Sequence, residues 1–165
     1  MAASYLNFSA FLARLLAAGV VETTSLCALT SSEFGRRSPT AKATASHADA
    51  DAAAREYEPY AAAAAQWIVQ GGPALYEMCV KDVVFQIGRK KWTLALWESW
   101  KTKFEAVSKD DRYSSPTREM AKQALEKMAI LENEGVANPG IISKFNPAIS
   151  NDMEEEEEDE DEDEE

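Results

Sequence analysis

The chain is poor in the residues that carry metal and redox chemistry. Its 165 residues include one histidine, His47, and two cysteines, Cys27 and Cys79. A structural zinc site takes about four Cys and His ligands, so no single copy of this chain can build one. The cysteines lie too far apart for a redox or zinc motif. One disulfide is the most they can form, and nothing else in the composition points to an oxidising compartment. Long apolar runs are also scarce. The most apolar stretch, Leu6 to Val21, is shorter than the roughly 20 residues a membrane span takes, lacks a basic leader and holds Arg14 in its middle. It reads as neither signal peptide nor span, and Asn7-Phe8-Ser9 reads as a coincidental glycosylation match. The expectation is an intracellular protein, cytoplasmic or nuclear, with no membrane contact.

Acidic residues are plentiful but concentrated. Between Asp152 and Glu165 every residue except Met153 is Asp or Glu, 13 acids in 14 positions. Removing them from the 29 acids leaves 16 against 17 bases, so the body is nearly neutral and the tail carries the whole imbalance. Like charges at that density repel across the Debye length, so the tail is expected to be extended and disordered and to attract basic partners. The plain reading is a solubilising tail. Of the 45% hydrophobic residues, 28 are Ala, while Leu, Ile, Val and Phe together number 31. Four Trp, five Met and five Tyr supply the remaining bulk. A small folded body with a disordered end follows.

The apolar spacing is helical and no segment sustains period-two alternation. Phe8, Phe11, Leu12, Leu15 and Leu16 fall within an arc of about 140° at 100° per residue, predicting an amphipathic helix whose buried face is that arc. Ser4 or Asn7 is its expected cap and Gly19 its stop. A second helix is expected after Thr23 or Thr24, through Leu26, Leu29 and Phe34 to Gly35. Residues 36–50 read as a flexible loop or linker. A third helix, capped by Asp49 or Asp51, should break or kink at Pro59, which lacks a backbone donor and disfavours helix at Glu58, with a new start near Tyr60. The alanines Ala61 to Ala65 then start a fourth through Trp67 and Ile68, stopped by Gly71-Gly72, with Pro73 opening a fifth along Leu75, Met78 and Cys79. Val83 to Ile87 is the one arguable strand, and helix end plus loop is preferred. From Lys91 to Val107, Leu96, Trp97, Trp100, Phe104 and Val107 share an arc of about 100° in the next helix, and Trp92 extends it. The last runs from about Pro116 to Glu134, capped by Ser115 and closed by Gly135. It buries Ala121, Ala124, Leu125, Met128 and Leu131 and turns Ile130 away. Residues 136–151 read as an extended segment. The sum is an all-α fold: a helical domain over 1–135, a single irregular bundle of about five to seven helices, with a disordered acidic tail over 152–165.

The run Asn7-Phe8-Ser9-Ala10-Phe11-Leu12-Ala13-Arg14-Leu15 belongs to a set of spaced residues. The others are Ala64-Ala65-Gln66-Trp67-Ile68 with Gly72 and Leu75-Tyr76, Trp97-Glu98-Ser99-Trp100-Lys101 with Phe104, and Ala121, Ala124 and Met128. Together they resemble a family of filamentous (ascomycete) fungal proteins catalogued as a domain of unknown function. The likeness covers roughly residues 5–34 and 55–132. It implies a helical fold and supplies no activity and no functional residues to carry over. The chain departs from the pattern after Phe34, where a longer apolar helix is expected, and between Cys79 and Trp92, where the connection is short.

No catalytic, cofactor or metal constellation stands out. Cys79 with His47 lacks an orienting third residue and an oxyanion-forming loop, and Cys79 lies on an apolar stripe as a small core residue. Gly71-Gly72-Pro73 lacks the strand and the Lys-Ser/Thr of a phosphate loop and reads as helix punctuation. The aromatic set Trp92, Trp97, Trp100 and Phe104 reads as core, with Trp92, at the edge of the arc, expected to be the exposed member. Arg89, Lys90 and Lys91 read as a solvated helix start, with an import signal as the alternative. A nearly neutral body and an acidic tail argue against nucleic-acid binding. Arg37-Ser38-Pro39 and Ser114-Ser115-Pro116 match proline-directed phosphorylation sites. The expected contact residues are therefore Trp92, Arg89, Lys90, Lys91 and the tail from Asp152 and Glu154 to Glu165. The expected function is a non-enzymatic interaction or scaffold protein whose tail meets a basic protein. The alternative is a small-molecule-binding protein or enzyme with an apolar site between helices.

Overall fold

The computed structural model describes residues 2–20, 34, 46–84 and 91–135. Four helices account for most of them: α1 (Ala2–Ala17), α2 (His47–Val80), α3 (Leu94–Lys109) and α4 (Ser115–Glu134). The all-helical expectation is met, and among the described residues the only strand-like pairing is one antiparallel bridge between Val84 and Lys91. The expected helix that includes Leu26 and Leu29 lies outside the described residues. So do most of the linker, the 136–151 segment and the acidic tail.

The count of five to seven helices is not matched, chiefly because α2 runs unbroken through both expected stops. It passes Pro59, Gly71, Gly72 and Pro73 over 34 residues. It also starts earlier than Asp49, inside the expected linker. Ser46 is the N-cap, its hydroxyl accepting from the Asp49 N–H while the Asp49 carboxylate accepts from the Ser46 N–H. That reciprocal pair satisfies two donors the first turn would leave open. Each proline removes one helical hydrogen bond, and packing on three sides outweighs the loss. Ala61 to Ala65 are all buried, as are Trp67, Ile68, Leu75 and Met78.

The glycines serve that packing. A Cβ on Gly71 would lie 3.3 Å from the Ala13 carbonyl oxygen of α1, and one on Gly72 would lie 3.0 Å from Leu131 Cδ1 of α4. The doublet marks the place where two helices cross α2 on different sides, and this replaces its reading as punctuation. Contacts fix the directions. Tyr5 meets Tyr60, and Ala13 meets Gly71, so α1 runs parallel to α2. Tyr76 meets Trp97 early in α3, so α3 runs back. Glu58 meets Ser114, and Gly72 meets Leu131, so α4 again runs with α2. Among the described helices α1 packs on α2 alone, whereas α2, α3 and α4 pack on one another.

The predicted face of α1 is half right. Leu12 and Leu16 are buried, joined by the small residues Ser9 and Ala13. Phe8 and Phe11 face outward, 53% and 56% exposed. The helix is rotated so that small side chains meet the alanine-rich surface of α2, because a phenylalanine there would hold the two backbones apart. Its end matches expectation. Gly19 has φ 64°, its N–H bonds Leu16 O, and the Val20 N–H bonds Leu15 O. This paired arrangement needs a left-handed residue after the cap, which glycine supplies without a Cβ clash.

The α3 and α4 faces follow the sequence closely. Trp97, Trp100, Phe104 and Val107 are buried in α3, with Thr93 as N-cap. Ala121, Ala124, Met128 and Leu131 are buried in α4, Leu125 partly so, and Ile130 is exposed. The α4 N-cap is Ser114, one residue before the expected Ser115, and Gly135 closes the helix. Trp92 is the clear correction. It is 1% exposed, set edge-on against Trp100 at 5.5 Å, with its backbone N–H bonded to Val83 O. The pairing of Val83 and Val84 with Lys91 and Trp92 carries Trp92 inward before the helix begins.

Candidate functional site

Of the expected contact residues, Lys91 and Trp92 fall among those described. Lys91 is exposed at the bridge to Val84, and Trp92 beside it is core. Arg89, Lys90, Asp152, Glu154 and Glu165 lie outside the described residues. His47 and Cys79 occupy opposite ends of α2, on the order of 48 Å apart at 1.5 Å per residue. They form no catalytic pair. Cys79 is a buried free thiol, pushed up to about 12 by burial and then by Asp82. Among the described residues no group of three or more His, Cys, Asp and Glu could hold a metal ion, and no helix is long and apolar enough to cross a membrane.

Two arrangements have chemical consequences. The first is the outer face of α1. Phe8, Phe11 and Leu15 lie within about 60° of one another at 100° per residue, beside the buried Leu12. The two phenyl rings are open to solvent and Leu15 is partly covered. Ser4, Asn7 and Arg14 border the stripe, and Arg14 Nε donates to Gln70 Oε1 of α2 at 3.1 Å. Sequence reasoning placed these rings in the core. Amphipathic spacing locates an apolar arc but does not say how much of it a neighbour covers.

The second lies between α2 and α3, around Phe34. This ring is wholly buried. It stacks on Tyr57 with centroids 5.6 Å apart and planes at 21°, and on Phe104 at 4.8 Å and 29°. Its carbonyl oxygen accepts from the Tyr57 hydroxyl at 3.2 Å and from Lys103 Nζ at 2.9 Å. The Lys103 ammonium also sits 5.7 Å from the Phe34 ring centre. Tyr113, in the α3–α4 turn, closes the cluster edge-on against Tyr57 at 6.3 Å. Burial drives the Tyr57 hydroxyl far above its ordinary range and lowers the Lys103 amine. It also pushes Tyr113 up to about 12, with the Asp110 charge adding to the shift.

The remaining polar contacts tie helices together. Glu58 Oε1 accepts from the Ser114 N–H at 3.0 Å, from the Ser114 hydroxyl, and from Thr117 Oγ1 at 2.7 Å. A carboxylate of α2 thereby caps α4. Glu132 of α4 accepts from Trp97 Nε1 at 2.9 Å and from Lys101 Nζ at 2.6 Å, fastening α3.

A family model described as "Protein of unknown function (DUF3632)" matches residues 1–104, which take in α1, α2 and α3 as far as Phe104. No curated protein and no solved structure matches the chain.

Proposed function

The chain belongs to the family of proteins of unknown function DUF3632, and from that premise we propose that it is a non-enzymatic helical interaction or scaffold protein of the cytoplasm or nucleus. In this reading it binds through the outer face of α1 and through its acidic tail. The supporting observation is the exposure of Phe8 and Phe11 side by side on α1, because bulky aromatics turned outward from a filled core mark contact surfaces more often than scattered aliphatics do. Two half-exposed rings offer roughly 200 Å² of apolar area, about 5 kcal/mol if fully covered. Association itself costs at least about 4 kcal/mol, so the stripe alone binds weakly. A second contact is required for useful affinity. The 13 acids after Asn151 suit a basic partner, and two linked contacts multiply affinity by raising the effective concentration of the second.

The test compares three versions of the chain: intact, ending at Asn151, and carrying Phe8→Ser with Phe11→Ser. A fluorescent lysine-rich peptide is expected to bind the intact chain and the serine variant with affinity that falls steeply with salt, and to lose binding to the shortened chain. In extracts, proteins retained by both intact and shortened chains are expected to be lost from the serine variant. Equal binding of the peptide to the shortened chain, or an unchanged set of retained proteins with the serine variant, refutes the reading.

A further inference from the structure

The surroundings of Phe34 have the form of a ligand site. Tyr57 and Phe104 each stack on one ring, and two donors, the Tyr57 hydroxyl and Lys103 Nζ, converge on one oxygen. What these side chains hold is a phenyl ring and a nearby acceptor oxygen. A tethered phenylalanine shares both features with free phenyl-acyl compounds. The two stacks and the cation over the ring add orientation that simple space-filling does not require.

We infer that the recess between α2 and α3 is a binding site for a phenyl ring bearing a carbonyl or carboxylate oxygen, occupied in cis by Phe34. A carboxylate fits the donor pair at least as well as the peptide carbonyl does, because the bond from Lys103 then joins opposite charges. The site is separate from the α1 stripe and does not depend on the interaction reading. In the intact chain the tethered ring acts as a competitor at an effective concentration on the order of millimolar. Phe34→Ala weakens that competitor by removing its ring, while the residue-34 backbone carbonyl stays and the ligand's carboxylate must displace it from Tyr57 and Lys103.

The experiment uses the full chain with Phe34→Ala and 3-phenylpropanoate as the probe, with toluene as the ring lacking the oxygen. Saturable binding of 3-phenylpropanoate is expected by calorimetry, accompanied by a rise in Tm. Adding Tyr57→Phe should weaken it about fivefold, and Lys103→Met about tenfold or more, the ranges for a neutral and a charged hydrogen bond. Toluene should bind more weakly than 3-phenylpropanoate by a similar factor. If Phe34→Ala does not fold alone, dose-dependent recovery of helicity on refolding with 3-phenylpropanoate supports the site, and absence of rescue overturns it. In a folded variant, no saturable binding overturns the inference. So does binding indifferent to Tyr57→Phe and Lys103→Met, or equal binding of toluene, since each marks nothing more than a filled void.

Discussion

Cys79 shows how strongly position governs a side chain's chemistry. Thiol reagents attack the thiolate, and burial, with Asp82 adding to it, pushes this thiol up to about 12. In the native chain at pH 8 Cys79 should react with a thiol reagent far more slowly than in denaturant, by at least tenfold, measured by mass spectrometry of that residue. Glu58 shows the opposite balance. Burial alone would raise its carboxyl, but bonds from the Ser114 and Thr117 hydroxyls and the Ser114 amide outweigh it and leave it below its usual 4.5. A lowered folded value means that the charged form belongs to the fold. The tie is therefore complete above pH 4.5 and is lost as pH falls through the folded value. Glu58→Gln should cost about 1 kcal/mol at neutral pH, the usual worth of a helix cap. It should also reduce the loss of stability below pH 4.5, as read by denaturant titration at several pH values.

Among the helices, α2 explains most of the difference between expectation and structure. Helix breakers act locally, removing one donor at Pro59 or Pro73 and adding backbone freedom at Gly71 and Gly72. Contacts with α1, α3 and α4 act along most of its length, where residues from Ala54 to Cys79 are buried. Glu58, whose helical conformation the following proline disfavours, is held by its bonds to the start of α4. The glycine doublet separates packing from propensity. Alanine in a helix interior gains about 1 kcal/mol over glycine. At Gly71 the new methyl meets the Ala13 backbone oxygen, which moves only with the whole of α1. At Gly72 it meets the end of the Leu131 side chain, which can turn. Gly71→Ala should therefore lower stability by about 1 kcal/mol, as overpacking does, while Gly72→Ala should be near neutral. Thermal unfolding of the two variants distinguishes them.

At the scale of the whole molecule, the excess of negative charge lies at positions beyond the described core. Ending the chain at Asn151 removes 13 acids and takes the formal charge from −12 to +1. Since the core described here lies within residues 12–131, the shortened chain should keep its helicity by circular dichroism and its Tm within a few degrees. Its solubility should fall near neutral pH as net charge approaches zero. A collapse of helicity on truncation would show that the tail is part of the fold.

The residues themselves determined that this is a helical protein, where α3 and α4 lie and which faces they bury, and how α1 ends at Gly19 and α4 at Gly135. Propensity, apolar spacing and capping act within one or two turns, so they are legible without knowledge of neighbours. Three features waited on the tertiary structure: the continuity of α2 through its prolines and glycines, the outward rotation of Phe8 and Phe11, and the inward turn of Trp92. Each depends on which surface arrives from elsewhere in the chain. The recess around Phe34 belongs with them, because its walls come from residues 23 and 70 positions away along the chain.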